Sequence, residues 1–251
     1  MPVVEAGRRR VGLLLPSVVV LAAFAVLIGL GTWQLERKAW KEGLTETLEQ
    51  RLAADPVALP PSEQWPNLSP AEDEFRRVVV YATFEPNEEA LVYTTGSAFR
   101  PDVSGLGYWV FAPAKVANGA AVVLNRGFIP EGERDPSTHS VLAGRVPLVG
   151  VMRWPEPSGW FTPGADPRRN LWFVRDHLSM AAAKGWGEVA PFFVELETPS
   201  GYANLPRYGR LKVNLRNDHL QYALTWYGLA AVLLLVAGFW MRSRRRETLA
   251  N

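Results

Sequence analysis

VGLLLPSVVVLAAFAVLIGL, residues 11–30, contains no charged side chain. As an α-helix rising ~1.5 Å per residue it matches a bilayer hydrocarbon core about 30 Å thick. A signal peptide has a shorter apolar region, about 7–15 residues, followed by a small-residue cleavage site. This run leads instead into GTWQLERKAW (31–40) with no A-x-A-like site, so it reads as an anchor. A second span is expected from Leu220 to Met241, interrupted only by Gln221 and Thr225 near its start and ending against RSRRR (242–246).

The cations orient both spans. Arg8, Arg9 and Arg10 precede the first, and Arg242, Arg244, Arg245 and Arg246 follow the second. The positive-inside rule then places both termini in the cytoplasm and the middle of the chain outside. The expected organisation is a cytoplasmic N-terminus (1–10), a transmembrane helix (11–33), an extracytoplasmic domain (34–218), a second transmembrane helix (219–241) and a cytoplasmic C-terminus (242–251). The stretch before Arg10 is too short for an organelle transit peptide, and a bacterial inner membrane is the expected home.

Between the spans, TWQLERKAWKEGLTETLEQRLAAD (32–55) has helical spacing, with Leu35, Leu44, Leu48 and Leu52 largely on one stripe, and is expected to carry the first helix out of the membrane. ADPVALPPSEQWPNLSP (54–70) reads as a loop. Eight β-like runs follow: FRRVVVYATF, ALVYTT, GYWVFAPAK, AAVVLNRGFI, RVPLVGVMRW, NLWFV, PFFVELE and RLKVNL. Asn118-Gly119 is a hairpin signal between the third and fourth. One short internal helix is expected at DHLSMAAAKG (176–185). The fold class is therefore membrane α+β: two transmembrane helices flanking a β-rich extracytoplasmic domain, antiparallel and barrel- or sandwich-like, with a helical extension.

Composition removes several functions. There are no cysteines, hence no disulfide, thiolate metal site, cysteine nucleophile or covalent haem attachment. The net charge is only +2 and its excess arginines sit at the chain ends, so lipid is an expected partner and nucleic acid is not. HExxH, GxSxG, GxxxxGK[ST] and GxGxxG are absent from the sequence. Asp176, His177 and Ser179 lie on one short helix at spacings that cannot aim a relay at a substrate, and Asp176 reads as a helix cap. Four scattered methionines give no soft copper site. No catalytic residue is expected, and the chain is not read as an enzyme.

What remains is the outer rim of the spans. His219, Tyr222 and Trp226 recur at i, i+3 and i+7 on one face of the second helix; Gly29, Trp33, Arg37 and Trp40 share a face of the first. Two readings stay open. An interfacial aromatic belt accounts for Trp33 and Tyr222, with His219 as a cap or a snorkelling side chain. Trp226, however, lies two turns below His219, deeper than a belt residue needs to be. An imidazole with aromatic walls and nearby Arg37 and Arg216 is the composition expected around an anionic macrocycle: His219 as axial ligand of a haem iron, aromatics packing on the porphyrin, guanidinium groups on the propionates.

The chain resembles the SURF1/Shy1 family of cytochrome c oxidase assembly proteins. The blocks that carry the resemblance are LGTWQLERKAWK (30–41), GYWVFAP (107–113), LNRGFIP (124–130), LVGVMR (148–153), DPRRNLWFVRD (166–176) and LRNDHLQYALTWYGLA (215–230). The first and last are the specific ones. The resemblance implies two membrane helices around an outward-facing domain and a part in building the haem a centres of the oxidase. It also implies transient binding of haem a, with the family's membrane-edge histidine falling on His219, and cytochrome c oxidase subunit I and haem a synthase as partners. One departure is Ala82, where many relatives carry glycine, which puts a local bulge in doubt. The alternative is a scaffold that binds no haem and stabilises an assembly intermediate of subunit I.

Overall fold

A computed structural model describes residues 3–85, 88–97, 99–140, 144–197, 205–213 and 217–250. The chain divides into two compact units, one made of Met1–Thr45 with Arg216–Asn251 and the other of Glu46–Leu215.

The first unit is a helix pair. Helix α1 (Val3–Ala53) runs unbroken through the apolar stretch and into the charged one, so the expected helical extension is the continuation of the span. A later helix, numbered α4 after its place in the chain, covers His219–Ala250. Both are long and apolar enough to cross a membrane. Large side chains such as Leu15, Leu235 and Phe239 stand exposed along them, a surface that water would not tolerate and lipid does. Where two helices pack in lipid, the hydrophobic effect gives no drive and close approach of backbones does. Gly31 is buried, and a Cβ there would meet the Tyr227 ring at 2.6 Å. Ala223 and Ala230, two turns apart, are each 1% exposed. Beside them the Thr32 and Tyr227 hydroxyls are 3.1 Å apart, pairing two polar groups across the two helices.

The second unit is a closed barrel. Its strands are β1 (Val57–Ala58), β2 (Arg77–Phe84), β3 (Ala90–Gly96), β4 (Ser104–Lys115), β5 (Ala121–Pro130), β6 (Val146–Arg153), β7 (Leu171–Trp172) and β8 (Val189–Leu196). The short helices α2 (Pro70–Asp73) and α3 (His177–Lys184) lie between them. The order β2-β6-β8-β5-β4 closes on itself through Thr83↔Lys115 and Phe84↔Ala114, which makes a five-stranded ring. Of the two forms expected, the barrel is the one present. Four of its five pairings are antiparallel, but β5 and β8 run parallel, so the sheet is mixed where an antiparallel one was expected. A parallel neighbour needs a crossover, and the chain between β5 and β8 supplies β6, β7 and α3 before returning.

The barrel interior follows from alternation. In β2, Val78, Val80, Ala82 and Phe84 point inward, to meet Leu124, Leu148, Phe192, Val194 and Leu196. Ala82 is fully buried and pairs in regular register with Val146, so the bulge that a glycine would allow is absent there. Strands β4 and β5 do not alternate, because a second cluster of Val92, Trp109, Phe111, Val123, Trp172, Met180 and Phe193 covers their other face. Continuous apolar runs such as YWVFA are what a strand buried on both faces requires. The Asn118-Gly119 hairpin joins them as expected: the Gly119 N–H donates to the Val116 carbonyl (3.0 Å) and the Ala120 N–H to Asn118 Oδ1 (3.2 Å).

Gly127 explains the NRG of LNRGF. Its φ is +107°, its N–H donates to Asn125 Oδ1 (3.0 Å), and a Cβ would collide with the Arg207 carbonyl. RLKVNL departs from expectation: residues 210–213 form no strand, and 214–215 lie outside the described residues. Leu211 is used as a core plug instead, buried with Leu48 and Leu52 of the α1 extension, Phe75 and Val151.

Candidate functional site

His219 is the first residue of α4 and is half-buried. Its Nδ1 lies 2.7 Å from Oε1 of Gln34 on α1. An amide oxygen only accepts, so Nδ1 carries the hydrogen and donates. In the neutral ring that leaves the lone pair on Nε2. One ring nitrogen fixed by an oxygen acceptor and the other left with a lone pair is the arrangement a metal-ligating histidine needs, because the acceptor sets both tautomer and ring orientation.

The other expected residues divide. Trp226 is half-buried and stands on the His219 side of α4, two turns deeper. Tyr222, 55% exposed, flanks the same side. On α1, Gln34 shares its stripe with the buried Gly31 and the half-buried Lys38. At about 100° of rotation per residue, Trp33 and Trp40 lie roughly opposite Gly31, with Arg37 to one flank. All three are exposed, and the Arg37 guanidinium lies 4.4 Å over the Trp40 ring, not beside His219. The structure thus brings Gln34 to the imidazole where sequence spacing put Trp33 and Arg37. Arg216 lies outside the described residues. The signal for Gln34 was its place: an uncharged polar side chain one turn from Gly31, at the edge of an apolar run.

In the barrel unit the buried ionisable groups are engaged with one another or with the backbone. His139 is buried, with Nδ1–H donating to the Glu89 carboxylate (2.8 Å) and Nε2–H to the Glu133 carbonyl (2.9 Å), while Glu89 also pairs with the buried Arg126. Burial alone would pull the imidazole down, but these two acceptors offset it and its pKa is raised above the ordinary value. His177 is fully buried and donates Nε2–H to the Ala190 carbonyl (2.9 Å); burial lowers its pKa. Asp176 caps α3 as expected, accepting from the N–H groups of Leu178 and Ser179 (3.2 Å each). Arg153 and Arg175 share the buried Glu195, at 3.5 and 3.2 Å, and reach Glu74 and Glu156 as well. Among the described residues there is no cluster of three or more His, Asp or Glu able to hold a metal ion.

Fold and site together define a chain with two helices long and apolar enough to cross a membrane, a five-stranded mixed barrel between them in sequence, and a histidine at the start of the second helix held by a neighbouring amide. The SURF1 family model matches residues 21–231. The chain is 33% identical over 237 residues to Surfeit locus protein 1 of Rattus norvegicus, covering 89% of this chain and 74% of the relative. It is 35% identical over 217 residues to Surfeit locus protein 1 of Homo sapiens (81% and 70%) and 33% identical over 237 residues to a SURF1-like protein of Monosiga brevicollis (90% and 86%). The chain belongs to the SURF1 family, a family of cytochrome c oxidase assembly factors.

Proposed function

We propose that this protein assists assembly of cytochrome c oxidase by holding haem a at the outer edge of the membrane for insertion into subunit I. The observation that carries the reading is the His219 ring: Nδ1–H is committed to Gln34, and Nε2 is left with its lone pair. The bound group would supply the iron for Nε2 and a broad apolar macrocycle for the lipid-facing side of the helix. His219 orients and ligates, Gln34 holds the ring in its tautomer, and Trp226 and Tyr222 offer aromatic surface on the same side of α4. Arg216, three residues before His219 in the sequence, is the cation assigned to a propionate. Trp33 and Arg37, on the outward faces of α1, are assigned to the lipid interface instead.

A carrier has to release what it holds. One imidazole and partly open aromatic contacts suit a site that gives up its cargo sideways through lipid. The arginines at the two chain ends support cytoplasmic termini and an outer barrel domain in a bacterial inner membrane. Subunit I and haem a synthase are the partners in this reading. The test is the full chain purified from cells that make haem a. Wild type should carry haem a, and His219→Ala should lose it at unchanged abundance in the membrane, with a loss of assembled oxidase. A wild-type protein that carries none, with oxidase assembly indifferent to His219→Ala, would leave a scaffold that binds no haem.

A further inference from the structure

The loop between β6 and α3 carries the most exposed aromatics of the barrel unit. Trp160 and Phe161 are 101% and 99% exposed, adjacent in sequence, at the tip of a turn. The turn is not slack. The Thr162 N–H donates to the Gly159 carbonyl (3.1 Å) and the Gly159 N–H donates to Thr162 Oγ1 (2.9 Å), so the backbone groups at its base are paired within the turn. Pro163 follows at once, and beneath the tip an open hollow of about 550 Å³ is lined by Trp160, Phe161, Pro163, Tyr93 and Phe173. Aromatics elsewhere in the domain pack edge-on in pairs such as Trp65–Phe192, Trp109–Phe128 and Phe111–Phe193, whereas these two rings stand almost fully exposed.

The charges around the tip are graded. Residues 157–165 contain none. Glu156, just before, is ion-paired with Arg175, and Asp166, just after, accepts the Arg169 N–H at 3.2 Å. Arg168 and Arg169 then stand exposed. An uncharged segment tipped by Trp and Phe, internally hydrogen-bonded and followed by two arginines, has the chemistry of the headgroup boundary: aromatic rings at the acyl edge, guanidinium groups at phosphate depth. A bilayer is also the one partner always present, since the domain is bonded at both ends to helices that span it. A protein partner would call for a fixed pattern of charge matched to it, and residues 157–165 carry no charge.

We propose that the Gly159–Thr162 turn is a lipid-inserting tip, with Trp160 and Phe161 entering the phospholipid interface and Arg168 and Arg169 at its phosphates. This is a membrane contact separate from the two helices and independent of haem. The absence of cysteine makes the test clean. The full chain with Ser158→Cys, labelled with an environment-sensitive fluorophore, is reconstituted into phosphatidylcholine–phosphatidylglycerol nanodiscs, with and without lipid bearing a nitroxide near the headgroup. The nitroxide should quench the probe, and adding Trp160→Ser with Phe161→Ser should reduce that quenching severalfold. Leu at both positions should restore it, which separates lost insertion from a misfolded domain. No quenching in the parent, or quenching that survives the serine pair, overturns the proposal. Quenching or a blue shift that appears only when oxidase subunit I is added assigns the tip to a protein partner and overturns it equally.

Discussion

His139 and His177 in the barrel unit and His219 in the helix pair are the three histidines of the chain, and they are used in opposite ways. His139 has both ring nitrogens on oxygen acceptors, and His177 sits in full burial with one on a carbonyl. His219 is half-buried, with Nδ1 on Gln34. His177 and His219 each have one ring nitrogen fixed by an oxygen acceptor, but the second nitrogen of His177 is sealed inside the barrel unit, whereas that of His219 belongs to a half-buried ring. The same contrast runs through the two units. The barrel is held by dense apolar burial and by ion pairs such as Arg77–Glu197 and Arg126–Glu89, whereas the helix pair meets through small residues such as Gly31 and Ala223 and through polar contacts such as Thr32–Tyr227 and Gln34–His219.

The largest effect expected from this contrast lies in the barrel. Glu89→Ala strands the buried Arg126 and the buried His139 together, and removing one member of such a buried group costs about 3–5 kcal/mol. Denaturant titration of the full chain, followed by the fluorescence of the barrel tryptophans, should show a lower midpoint. A midpoint unchanged would mean that the Arg126–Glu89–His139 group is not structural. Smaller is Gly31→Val, which drives a side chain into the Tyr227 ring at the helix seam and should cost about 1–3 kcal/mol. Cross-linking yield between cysteines placed on α1 and α4 reads it, and the barrel's midpoint should not move.

The barrel histidines should split by pH. His139 has its pKa raised in the fold, so its contribution is full below the ordinary imidazole value and is lost as pH rises through the folded one. His177 has its pKa lowered by burial, so its contribution is full above the ordinary value and is lost as pH falls towards the folded one. Thermal midpoints against pH should therefore lose their alkaline limb in His139→Gln and their acid limb in His177→Gln. Smallest of all is Arg37→Ala, which removes an exposed cation–π contact with Trp40 worth about 0.5–1 kcal/mol and should leave haem retention almost unchanged. A large loss of haem in that variant would return Arg37 to the site.

Much of this was legible because lipid and water impose strong patterns. The two spans, the Asn118-Gly119 hairpin, the cap at Asp176 and the strand segments from Arg77 to Leu196 all follow from hydropathy, turn chemistry and capping. The parallel pairing of β5 with β8 was not, since alternation says which face a strand buries and nothing about its neighbour's direction. RLKVNL reads as a strand by alternation, yet Leu211 is drawn into a cluster with the α1 extension, a tertiary contact no local window contains. That His219 and Trp226 share one side of α4 was legible from helical spacing. Gln34 was not, because Trp33 and Arg37 carry the louder chemistry. Which face of α1 meets α4 is decided by Gly31 and its fit to Tyr227.

The central claim is that His219 Nε2 is the ligand, and replacing the side chain while supplying its ring separately tests it most directly. His219→Gly in the full chain, purified from cells that make haem a, is examined by absorbance with and without added imidazole. The account predicts that the wild-type haem a spectrum is lost in His219→Gly and returns when imidazole is added, because the free ring restores the nitrogen ligand without the covalent link. A His219→Gly protein whose haem a spectrum matches wild type in the absence of imidazole would contradict it.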